Sequence, residues 1–189
     1  MMSMEDTIQN KLQIQQTLKE NMPSLKNIAQ YKNDPFKLID DGYEFLDLEN
    51  YQLAFELFSF GAAIDNTDCE LLNGLGISLC ELGRLEEAKI ILERAIRLCP
   101  DDAITYANLA GVYWEIENHD MAIHYYHKSI EYDPNIEETY YNLINLYIET
   151  GALYMAFIFC LDFLQRFPGS GEATELLSDI ILNLGISLY

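Results

Sequence analysis

Basic residues are scarce in this chain. Eleven Lys and Arg stand against 31 Asp and Glu over 189 residues, a formal net charge of −20. A surface of that sign repels phosphate backbones and anionic headgroups, so general nucleic-acid binding and electrostatic membrane docking are excluded. Long apolar runs are missing too. The most apolar stretch, Leu153 to Leu161, stops at Asp162, well short of the roughly 18 residues that a bilayer span needs. The first residues carry Glu5 and Asp6 and no apolar run, so no secretory leader is expected. Cysteine is limited to Cys69, Cys80, Cys99 and Cys160, with no C-x-x-C pair. That argues against a zinc site, and the four read as reduced thiols, which implies a cytoplasmic protein. No Walker loop, H-E-x-x-H or G-x-S-x-G occurs. Gly74-Leu75-Gly76 falls inside an expected helix, where it cannot cradle phosphate. Neither an enzyme nor a bound cofactor or metal is expected.

The chain does hold abundant core-forming material, at 50% apolar and 12% aromatic residues. It also repeats itself. Ala54, Ala88, Ala122 and Ala156 lie 34 residues apart, and Pro100, Pro134 and Pro168 keep the same step. Phe58, Leu92, Tyr126 and Cys160 follow in register, as do Phe45, Leu79, Tyr113, Tyr147 and Ile181. A period held through several registers identifies a repeat architecture. Each unit holds two helical segments, with a turn near Glu49-Asn50, Gly83, Glu117-Asn118 or Gly151 and another ending at the proline. Residues 1–34 stand apart. Their four acids and four lysines cancel, so the whole net charge lies in residues 35–189. Ile8, Leu12, Ile14, Leu18 and Met22 fall within an arc of about 160° at 100° per residue, which predicts a helix over residues 4–21. Pro23 ends it, and Ser24 caps a shorter one running through Gln30.

These residues resemble the tetratricopeptide repeat. The resemblance covers four repeats, 35–68, 69–102, 103–136 and 137–170, with residues 1–34 as an N-terminal helical extension and 171–189 as a capping helix. It is strongest in the third repeat, at Tyr106, Leu109, Ala110, Tyr113, Ala122, Tyr126, Ser129 and Pro134. The resemblance implies an all-α, right-handed solenoid of helix hairpins. Asp41 stands where Leu is usual and Asn66 where Pro is usual. In the fourth repeat Ile144 and Phe163 replace small residues, and the last helix is expected to cover Phe163.

In that family the first helix of each repeat lines a concave groove. The corresponding positions include Phe36, Ile39, Tyr43, Asn73, Ile77, Ala107, Gly111, Trp114, Tyr141 and Asn145, with Asn108 and Asn142 at a position that either touches an extended ligand or serves the fold. The groove positions include carboxylates and no Lys or Arg, so a clamp on a C-terminal carboxylate is rejected. An extended, apolar peptide segment of a partner protein, with basic flanks, suits it better. Gly74, Ala107 and Gly111, bordered by Ile77, Trp114 and Tyr141, suggest a hollow for one apolar side chain. His124 and His127 read as exposed residues of an outer face. The expected function is a non-catalytic protein-interaction module. A narrower resemblance, over Tyr43–Gly83, is to type III secretion translocator chaperones, and a scaffold working through its convex face is the alternative. The N-terminal extension is expected either to pair with its copy in a homodimer or to lie in or across the groove.

Overall fold

A computed structural model describes residue 31 and residues 34–185. The two helices expected within residues 1–30 lie outside the described residues. Nine helices and no strand occur among the described residues. They are α1 (Pro35–Asp47), α2 (Tyr51–Ile64), α3 (Cys69–Glu81), α4 (Leu85–Leu98), α5 (Ala103–Glu115), α6 (His119–Tyr132), α7 (Glu137–Glu149), α8 (Leu153–Arg166) and α9 (Gly171–Asn183). This is the all-α helical-repeat fold that the 34-residue period implied. The chain divides into two compact units, one through Pro100 and one from Asp101.

Helix ends follow the period as closely as the core does. Asp34, Asp68 and Asp102 each accept backbone N–H groups at the start of α1, α3 and α5, and Ser170 does so for α9. Ile136 holds the same place before α7 and supplies no side-chain cap. Side-chain acceptors there relieve donors that have no intrahelical partner. The first helix of each hairpin closes in a repeated reversal. Asn50, Arg84, Asn118 and Ala152 return their N–H groups to Phe45, Leu79, Tyr113 and Tyr147 at 2.8, 2.8, 2.9 and 2.8 Å. The residue before each is left-handed: Glu49 (φ 56°), Gly83 (72°), Glu117 (59°) and Gly151 (74°). Glycine adopts that conformation freely, whereas glutamate meets a steric cost.

In the first unit α1 pairs with α2 and α3 with α4, while α2 and α1 both pack on α3. The pivot is Phe58, which is fully buried. Its ring lies where a Cβ on Gly42 or on Gly74 would come within 2.6 or 2.3 Å. Gly76 serves Leu92 in the same way, at 2.5 Å. The hollow expected at Gly74 is therefore absent: that glycine admits an aromatic ring, and the space is filled. Asp41 accepts from the Tyr31 hydroxyl (2.6 Å) and the Lys37 ammonium (2.9 Å), and the Arg94 guanidinium donates to the Asn66 carbonyl. Both departures from the repeat pattern thus have polar partners.

One expectation fails in this unit. Cys69 and Cys99 are joined by a disulfide, with Cα atoms 6.3 Å apart. A hairpin brings the first residue of α3 beside the residue that ends α4, so 30 residues of separation become one contact. The reading of all four cysteines as reduced thiols is corrected for this pair, and the cysteines cease to argue for a reducing compartment. Cys160 is a buried thiol whose pKa burial pushes up to about 11, which leaves it inert near neutrality.

In the second unit α5 pairs with α6 and α7 with α8; α6 packs on α7, and α9 covers α8 and α7. Aromatic rings replace the glycine-and-phenylalanine joint. Tyr132, Tyr106, Tyr125 and Tyr113 stack in series, at 5.1, 6.2 and 5.3 Å between neighbouring centroids. Ile144 and Phe163 are both fully buried, and Phe163 stacks on Tyr140 at 5.8 Å. Ala173, Leu176 and Ile180 of α9 complete that core. His127 does not stand on an exposed face as expected. It is half-buried, with Nε2 2.8 Å from the Tyr147 hydroxyl and its ring against Phe159. Burial, and secondarily His124, hold its pKa below the usual histidine value. The repeat register placed His127 on the second helix but did not reveal that the next hairpin reaches it.

Candidate functional site

The residues expected to line a groove fall on α1 and α3 in the first unit and on α5 and α7 in the second. In the first unit Phe36 is exposed, while Tyr43 and Ile77 are half-buried. Tyr43 meets Phe58 edge to face at 5.2 Å. Ile39 and Asn73 are buried, and the Asn73 amide donates to the Tyr43 hydroxyl at 3.4 Å. Those two residues stiffen the hairpin joint and present little surface to a ligand.

The second unit offers more. Ala107, Asn108, Gly111 and Trp114 of α5 are half-buried, and Ile104, one turn earlier, is largely exposed. Tyr141 is exposed on α7, and Asn142 and Asn145 are half-buried. The Asn145 amide donates back to the Tyr141 carbonyl at 3.0 Å, which fixes it on its own helix. At Gly111 an added Cβ would meet only the Tyr126 hydroxyl, at 3.8 Å, so the space there is open. A glycine in a helix interior costs about 1 kcal/mol relative to alanine. At Gly111 no tight packing compensates for that cost.

Trp114 is the chain's one tryptophan. Its indole N–H donates to Glu149 at 2.8 Å, which links α5 to α7, and its ring meets Tyr126 edge to face at 6.5 Å. The other oxygen of Glu149 lies 3.8 Å from His119 Nε2. The carboxylate is thus held beside an aromatic ring and stays half-exposed. Glu115 and Glu138 are exposed on the same two helices, and neither helix carries a Lys or Arg. An apolar surface with a small-residue opening and a carboxylate rim suits a ligand that is apolar with positive flanks. Among the described residues no group of three or more His, Cys, Asp or Glu is placed to hold a metal ion. No helix there is long and apolar enough to cross a membrane.

Capped helix hairpins repeated at a fixed step define a helical-repeat protein, a class that presents side chains from successive first helices. Residues 67–135 match the family model described as tetratricopeptide repeat, so that stretch of the chain is built of such repeats. Among curated proteins it is 28% identical over 110 residues to the BBSome complex member BBS4 of Bos taurus, covering 58% of this chain and 21% of that one. It is 38% identical over 61 residues to the repeat-containing protein YsoA of Bacillus subtilis, covering 32% and 18%. The chain spans about a fifth of the length of the curated relatives it matches. Among solved structures, MamA superposes with a TM-score of 0.66 at 19% identity, covering 79% of this chain and 81% of that one. Cut9, from the Cut9-Hcn1 hetero-tetramer of the APC/C, gives 0.69 at 22%, covering 77% and 30%. YrrB, a repeat protein with an unusual peptide-binding site, gives 0.60 at 17%, covering 91% and 84%. At these identities the likeness establishes the fold.

Proposed function

We propose that this protein binds an extended, largely apolar peptide segment of a partner, with basic residues flanking the apolar part. The α5 and α7 surface of the second unit makes the principal contact. The observation that carries this reading is the open space at Gly111 beside Trp114, whose indole is fixed by a carboxylate. A ligand's apolar side chain enters that space, and its lysines or arginines meet Glu138, Glu115 and the exposed part of Glu149. That a protein of the same fold, YrrB, has a peptide-binding site supports this use. Within the first unit, taken by itself, Phe36, Tyr43 and Ile77 offer a smaller apolar surface of the same kind. A chaperone for a secreted translocator is one case of this reading and rests only on the resemblance over Tyr43–Gly83.

Selection from a displayed library of random peptides tests it. Enriched sequences are expected to combine an apolar residue with Lys or Arg, and binding should fall by about 5- to 150-fold in Gly111→Leu, a loss of roughly 1–3 kcal/mol. Leucine also propagates helix better than glycine, so a loss of binding would not reflect a weakened helix. Acidic consensus sequences, or equal binding by a folded Gly111→Leu protein, would overturn the proposal.

A further inference from the structure

His119 opens α6 at the edge of the candidate surface. Of the chain's three histidines, His127 faces Tyr147 and Phe159, and the His124 ring meets Tyr125 edge to face. His119 instead lies against Glu149, the last residue of α7, with Nε2 3.8 Å from Oε1. The other oxygen of that carboxylate, Oε2, accepts the Trp114 indole N–H at 2.8 Å. One half-exposed carboxylate thus joins a titratable ring to the indole beside the Gly111 opening. At that distance a neutral imidazole makes no hydrogen bond to Glu149, whereas an imidazolium is an ion-pair partner. The other charged groups that α5, α6 and α7 bring to this end are acids too: Glu115 at the end of α5, Glu117 in the turn after it and Asp120 on α6.

We infer that His119 is the pH-sensing residue of this surface and sets how much negative charge Glu149 offers a ligand. The inference rests on the reading of the α5 and α7 face as a site for a basic-flanked peptide. Histidine is the side chain whose charge ordinarily changes between pH 5 and 8. Lysine and arginine titrate well above that range and ordinary carboxylates below it, so the histidine carries the change. With His119 neutral, Glu149 holds the indole through one oxygen and presents the other to a ligand's lysine or arginine. With His119 protonated, the imidazolium takes that second oxygen, and the ligand's cation meets a carboxylate already paired. A basic-flanked peptide is therefore held at neutral and alkaline pH and loosened as the pH falls, while contacts to its apolar part are unaffected.

Two readouts between ~pH 8 and ~pH 5.5 separate this from the reading on which it rests. In the free protein, Trp114 emission should change through one transition across that range. The change should vanish in His119→Gln and persist in His127→Asn. The second readout is a synthetic peptide of leucines and phenylalanines with a pair of lysines at each end, titrated by calorimetry. Its affinity for the wild type should be about 2- to 5-fold lower in the acid buffer, and for His119→Gln equal in both. Should His119→Gln unfold the protein, Glu149→Gln carries the test. That variant keeps an acceptor for the indole, and it should bind the peptide more weakly at alkaline pH with no further loss in acid. Emission that does not titrate, emission that titrates alike in His119→Gln, or an affinity ratio that His119→Gln or Glu149→Gln leaves intact would overturn the inference. Titrating emission with no peptide bound at either pH would overturn the proposed function, and the regulatory role with it, while leaving the linkage from His119 through Glu149 to Trp114 in place.

Discussion

Helices α3 and α5 hold the same place in successive repeats and use glycine for opposite ends. Gly74 of α3 lies against the Phe58 ring so closely that no side chain fits, whereas Gly111 of α5 faces only a hydroxyl at 3.8 Å. The first closes a joint between hairpins. The second leaves an opening at the surface, next to a tryptophan that Glu149 holds in place. The first unit is accordingly locked by interdigitation and a disulfide, while the second combines a stacked aromatic interior with an accessible apolar face. A glycine therefore reports function only through what stands opposite it.

The largest expected effect concerns the cross-link. Cys69 and Cys99 lie 30 positions apart in sequence, and closing a loop of that size stabilises by about 2–4 kcal/mol. Cys99→Ser, or reduction of the wild type, should lower stability by that order in denaturant titrations. A reductant that leaves the unfolding midpoint unmoved would show that the thiols are unlinked in solution. Next come the two glycines. Gly74→Ala should cost about 1–3 kcal/mol by overpacking against Phe58, whereas Gly111→Ala should be neutral or gain up to about 1 kcal/mol. Adding Phe58→Leu should recover part of the Gly74→Ala loss, a coupling absent between Phe58→Leu and Gly111→Ala. Equal costs for the two alanine variants would remove the distinction between closed and open glycines.

Smaller effects sit at the helix ends. Asp68→Ala should cost about 1 kcal/mol by removing the acceptor for Glu70 and Leu71. Glu117→Gly should gain about 0.5–1 kcal/mol by relieving a left-handed glutamate. Thermal melts of both variants check the signs.

The smallest is a pH effect in the second unit. His127 is held below its ordinary pKa by burial, so the folded chain prefers the neutral ring. Its contribution is complete above the unfolded value of about 6.5 and is lost as pH falls through the lower folded value. His127→Asn should therefore flatten the difference in melting temperature between neutral and mildly acidic buffer. An identical pH profile for both proteins would assign that dependence to the carboxylates.

Much of the fold was legible in the sequence because its causes are local and periodic. Small alanines mark where the second helices pack closely and prolines mark their ends, whereas the capping by Asp34, Asp68 and Asp102 became evident only at the folded helix starts. The candidate surface was legible only in part. Gly74 and Gly111 look alike in the chain, and the difference comes from Phe58 in one case and the Tyr126 hydroxyl in the other. The disulfide was hidden because short cysteine spacings were the signal sought; the step of 30 in a repeat of 34 would have placed both thiols at one end of a hairpin. The apolar run over Leu153–Leu161 showed no polar side, so which of its residues face outward depends on the packing of α7 and α9.

The central claim is that a peptide enters the opening beside Trp114, and the chain's one tryptophan reports on it. A selected apolar peptide with flanking lysines, titrated into the protein, should shift Trp114 emission saturably, and the same peptide should bind Gly111→Leu at least about 5-fold more weakly. Binding detected by calorimetry at unchanged affinity in both proteins, with Trp114 emission unmoved, would contradict it.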